Sequence, residues 1–72
     1  MERYRIFGYG GYNGRSDFDS ALECATEMVR YQWVQTGELG ACYAIVYDML
    51  NRRRVFVWLA EDMTVQSRKW FS

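Results

Sequence analysis

Few residues in this sequence have the types and spacings that chemistry requires. Histidine is absent, and the two cysteines, Cys24 and Cys42, stand far apart with no neighbouring ligand pattern. A structural zinc site needs four ligands at recognisable spacings, so no metal is expected and both thiols read as small buried hydrophobes. Asp17 and Asp19 fall where a helix would begin and read as capping charge, while Glu61-Asp62 reads as a polar turn. No nucleophile, base and orienting group come together, which points to a noncatalytic, cofactor-free protein. The glycine-rich stretch from Gly8 to Gly14 lacks the Gly-Lys-Ser/Thr ending of a phosphate-binding loop, so no nucleotide site is expected there.

What remains is arginine and aromatic chemistry. Arg52, Arg53 and Arg54 are consecutive at a turn, and Arg15 lies in the glycine-rich stretch. Three adjacent arginines in a turn read either as a solvated surface cluster or as an anion-recognition tip. Guanidinium groups pair bidentately with carboxylates and phosphates, and a basic hairpin also suits a nucleic-acid groove.

The elements that must position these residues follow from periodicity. Arg3 to Tyr9 alternates as a first strand, and Gly8 to Gly14 reads as a loop turning at Asn13-Gly14. Ser16 or Asp17 caps a helix running to Thr36, with Phe18, Ala21, Leu22, Ala25, Met28, Val29, Gln32 and Trp33 on one stripe and Gly37 as its stop. Ala41 to Tyr47 and Arg54 to Ala60 form an antiparallel hairpin around Asn51. Arg68 to Phe71 adds a short final strand. The expectation is one α+β domain over residues 1–72, with a long helix on a three- or four-stranded, mainly antiparallel sheet in the order β-α-β-β(-β).

Alternation divides the strands into two unlike faces. Tyr4, Ile6, Cys42, Ala44, Val46, Val55, Val57 and Leu59 form a small, aliphatic set suited to the helix. Arg3, Arg5, Phe7, Tyr9, Tyr43, Ile45, Tyr47, Arg54, Phe56 and Trp58 form an aromatic and basic set, which one helix leaves open. The reverse assignment would pack Phe56 and Trp58 against Phe18 and Trp33 and turn Val55, Val57 and Leu59 outward. On the first assignment the partner-binding candidates are Arg3, Arg5, Tyr9, Tyr43, Tyr47, Arg52, Arg53, Arg54, Phe56 and Trp58.

The order strand, glycine segment, capped helix and hairpin, ending in Val57-Trp58-Leu59-Ala60 and then Arg68-Lys69-Trp70, resembles small proteins of bacteriophages and mobile elements. In layout it is similar to some type I anti-CRISPR proteins, which pack one helix on an antiparallel sheet. The resemblance implies a noncatalytic inhibitor or modulator that occupies a surface of a host protein or nucleoprotein complex.

Composition sets the remaining bounds. Nine basic and nine acidic residues cancel, which disfavours binding to nucleic acid or membrane by bulk charge and makes a nucleic-acid-binding module the second choice. The first residues, Met1-Glu2-Arg3-Tyr4-Arg5, lack the apolar stretch of a signal peptide, and the uncharged run near Leu39 to Tyr47 is too short to span a bilayer, so a cytoplasmic protein is expected. A 72-residue chain without disulfide or metal has a small core, and a homodimer would enlarge its buried area.

Overall fold

The computed structural model describes residues 2–8 and 11–71, and the side chains of all of these except Trp70 and Phe71. Tyr9 lies outside the described residues. Five strands and one long helix follow in the order β1 (Tyr4–Gly8), β2 (Gly11–Arg15), α1 (Phe18–Thr36), β3 (Tyr43–Asp48), β4 (Arg53–Leu59) and β5 (Val65–Phe71), with a single 3₁₀ turn at Leu39–Ala41 before β3. All pairings are antiparallel and the sheet order is β2-β1-β3-β4-β5.

The helix begins and ends on local chemistry. Asp17 is extended, and its carboxylate accepts the Ser20 N–H at 2.7 Å, satisfying one of the orphan donors of the first turn. Gly37, at φ 65°, occupies the left-handed position that stops the helix, and its N–H bonds the Trp33 carbonyl at 2.9 Å. The buried stripe of α1 is Ala21, Cys24, Ala25, Val29 and Gln32, with Phe18, Leu22, Met28 and Trp33 packed at its margins. Its small central residues share the core with Cys42 and Ala44, a composition that lets helix and sheet approach closely.

The sheet differs from expectation at both edges. The segment expected as a glycine loop is the edge strand β2, and Asn13 and Gly14 pair with Ile6 and Arg5 rather than turning the chain. Its glycines make room for neighbouring side chains. A Cβ on Gly8 would stand 2.7 Å from the Met28 methyl, and one on Gly14 would collide with the Glu2 carboxylate. At the other edge, β5 begins at Val65, three residues before the expected start. The expected three or four strands are therefore five, and β2 interposes a hairpin ahead of the helix.

The β3–β4 hairpin register puts Ala44 opposite Val57 and Val46 opposite Val55, all buried beneath the helix. Val57 is fully buried at 0% exposure within the hydrophobic core cluster. Substituting Val57→Asp therefore places an unpaired carboxylate in the centre of a small core. The expected cost is several kcal/mol, on the scale of the whole stability of such a domain, and circular dichroism should show loss of the cooperative thermal transition at neutral pH.

Candidate functional site

The alternation of β1, β3, β4 and β5 sends the residues between the core positions to the opposite face of the sheet. Register places them in rows across the strands. Arg5 pairs with Tyr47 and Tyr47 with Arg54; Tyr12 pairs with Phe7, Phe7 with Ile45, Ile45 with Phe56, and Phe56 with Arg68; Tyr43 pairs with Trp58, and Trp58 with Gln66. Phe7 and Tyr12 are 43% and 50% exposed, an unusual degree for large apolar side chains in a packed sheet. Tyr43, Ile45, Tyr47, Phe56 and Trp58 are half-buried by one another.

The central rings are ordered among themselves. Tyr43 and Phe56 stack with centroids 6.1 Å apart and planes 18° apart, and Phe56 and Trp58 stack at 5.5 Å and 25°. Phe7 and Tyr12 form a second, tilted pair at 5.2 Å. Each pair lies in the favourable range for offset aromatic contact, so the rings of the face hold one another in place.

Not every expected residue joins this platform. Arg3 turns away and forms a bidentate pair with Asp48, Nε to Oδ1 and Nη2 to Oδ2 both at 3.2 Å. Asp48 also accepts the N–H groups of Leu50 and Asn51 and the Asn51 side-chain amide, so it ties the β3–β4 turn to the start of β1. The arginine run divides as well. Arg52 sits in the turn at φ 53°, Arg53 lies on the helix side in register with Asp48, and Arg54 lies on the outer face in register with Tyr47. Consecutive strand residues point to opposite faces, so the three guanidinium groups do not form one tip. Arg15 pairs with Tyr4, three strands from Arg53 and thus about 14 Å away at the usual strand spacing. It belongs to no cluster with the hairpin.

Of the candidates, the structure brings together Arg5, Tyr43, Tyr47, Arg54, Phe56 and Trp58, and it separates Arg3, Arg52 and Arg53 from them. Two members were overlooked. Tyr12 was hidden because β2 read as loop, although Tyr12-Asn13-Gly14-Arg15 does alternate; Arg68 was hidden because its strand carries little apolar signal, although spacing by two from Gln66 places it on the outer face.

Protein-family models, curated proteins and solved structures all yield no significant match to this chain. The functional reading therefore rests on the face itself. Cys24 and Cys42 are both buried and unpaired with each other, and among the described residues no group of three or more His, Cys, Asp or Glu side chains is placed to hold a metal ion. No helix among them is long and apolar enough to cross a membrane.

Charge is segregated between the two layers. Residues 17–38 carry Asp17, Asp19, Glu23, Glu27 and Glu38 against Arg30 alone, so in this neutral chain the balancing excess of cations lies on the sheet and its turns. On the outer face Arg5, Arg54 and Arg68 stand in the rows, and Glu2 is at the β2 edge, held by a hydrogen bond from the Tyr12 hydroxyl at 3.2 Å.

The ion pair at the turn has a pH signature. Hydrogen bonds from Arg3, opposed by partial desolvation and assisted by those from Asn51 and Leu50, hold the Asp48 carboxyl below its usual value; Asp62 is likewise lowered by the Thr64 side chain and backbone. A depressed folded-state pKa stabilises the fold above the ordinary aspartate value near about 3.9, and that contribution disappears as pH falls through the folded value. Asp48→Asn should lower Tm at neutral pH and make the acid limb of Tm against pH shallower, as read by thermal melts at a series of pH values.

Proposed function

We propose that this chain is a noncatalytic binding protein that docks its outer sheet face onto a protein component of a larger host complex and inhibits or modulates it, in the manner of the phage anti-CRISPR proteins whose layout it resembles. The observation that carries this reading is the pre-stacked Tyr43–Phe56–Trp58 group flanked by arginines on the sheet face opposite the one helix of the described residues. Tyrosine, tryptophan and arginine are the residue types that dominate protein–protein hot spots, and rings already fixed in place lose little freedom on binding.

Net charge favours a protein over single-stranded nucleic acid: nine basic and nine acidic residues cancel, whereas phosphate contacts draw on a basic surplus. A homodimer through the same face is the competing occupant, and light scattering at high protein concentration separates it from a monomer awaiting a different partner.

Affinity capture from bacterial lysates with tagged wild-type and Trp58→Ala protein tests the reading. The wild type should retain a defined protein complex, and Trp58→Ala should weaken capture by about 2 kcal/mol, roughly thirtyfold in affinity. Because Trp58 is not in the helix-side core, its removal should lower Tm by only a few degrees. Unfolding of Trp58→Ala, or capture unchanged by it, would sink the proposal.

A further inference from the structure

At the end of the outer face away from the Asp48 turn, the platform is not flat. Leu39, Tyr43, Phe56, Trp58, Leu59 and Arg68 are among the residues that line an open hollow of about 360 Å³. The 3₁₀ turn forms the closing wall and is itself fixed: the Ala41 N–H bonds the Glu38 carbonyl at 3.1 Å, the Cys42 N–H bonds the Leu39 carbonyl at 3.0 Å, and the Cys42 thiol donates to the Glu38 carbonyl at 3.2 Å. Leu39 thereby holds an apolar side chain, 36% exposed, in the lining of the same hollow as the aromatic group. Hollows of this size, apolar within and bearing one charged group, are the form taken by specific side-chain pockets.

Resting on the docking role of this face, we infer that the hollow receives a large apolar side chain of the partner protein and that Arg68 pairs with a carboxylate beside it, so that the partner segment is acidic and aromatic or aliphatic. Charge complementarity carries the choice. The cations of the outer face are Arg5, Arg54 and Arg68, the excess of carboxylates lies on the helix layer, and an arginine lining an apolar pocket is a strong, directional donor to a carboxylate. A basic partner segment would meet like charge along these rows. The apolar floor contributes affinity, and the guanidinium selects the sign of the neighbour.

The probes are indole-3-acetate, its neutral analogue indole-3-acetamide, the cationic analogue tryptamine, and a dT oligonucleotide, each titrated into the ¹⁵N-labelled full chain and into Arg68→Gln. Indole-3-acetate should give saturable amide shifts centred on Leu39, Tyr43, Phe56, Trp58 and Arg68, with the millimolar dissociation constant of a fragment. Arg68→Gln should weaken it several-fold while leaving indole-3-acetamide unchanged and Tm intact, since Arg68 is exposed. Equal binding of acid and amide to the wild type, tighter binding of tryptamine, or no saturable shift at these residues overturns the inference. Shifts of the same residues by the oligonucleotide at lower concentration also overturn it and assign the face to nucleic acid. Failure of the fragment with Trp58-dependent lysate capture intact removes the pocket and leaves the docking face standing; loss of both removes the docking reading itself.

Discussion

One helix can cover only one face of a sheet, and the rest of this structure follows from that imbalance. A helix with its side chains is about 10–12 Å across, while five strands at about 4.8 Å spacing extend well beyond it. The chain responds by making its two sheet faces chemically different. Small and aliphatic residues dominate under α1, where Ala21, Cys24 and Ala25 share the core with Cys42, Ala44, Val46, Val55 and Val57; Tyr4 joins them edge-on to Phe18, while the rings of Tyr43, Phe56 and Trp58 lie on the other side. Exclusion has a packing cause. Substituting Tyr43, Phe56 and Trp58 for their small neighbours would push the helix away from the sheet and open gaps that the core of a small domain cannot tolerate.

The excluded rings lower their own exposure by stacking on one another and by lying against the stems of neighbouring side chains. That partial self-burial leaves most of them half-buried rather than fully exposed, with Phe7 and Tyr12 as the exceptions toward the β2 edge. The result is a rigid amphipathic surface: aromatic area for affinity, guanidinium groups for orientation, and little conformational entropy left to lose. The same logic explains the glycines of β1 and β2. Gly8 admits the Met28 methyl from the helix, and Gly14 admits the Glu2 carboxylate, so the edge hairpin closes over its neighbours instead of standing off from them.

Electrostatics reinforces the division. Asp48 is drawn into the sheet by Arg3 and the turn amides, so it serves the fold rather than the face. Most other acidic residues decorate the helix or its flanks, where those near its N-terminus also favour the helix dipole. A neutral net charge thus conceals a dipolar distribution, with the outer sheet face on the cationic side, and a local field is available there despite the balance of the whole chain.

The amino-acid pattern by itself determined the α+β class, the capped helix and its stop at Gly37, the β3–β4 hairpin and the division of its residues between two faces. Each of these depends on interactions a few residues long or on simple periodicity, and Asp17, Gly37 and the alternation from Val55 to Leu59 announce them directly. Only the tertiary structure decided that Gly11–Arg15 is an edge strand, because its pairing with β1 compensates a composition that, taken locally, favours a turn. Only the tertiary structure withdrew Arg3 into an ion pair with a residue 45 positions away and divided Arg53 from Arg54 by the pleat. Only it joined Leu39, from a turn, and Arg68, from a late strand, to the rings of β3 and β4, since a pocket is made by contacts between elements and no periodicity along one of them records which others will form its walls.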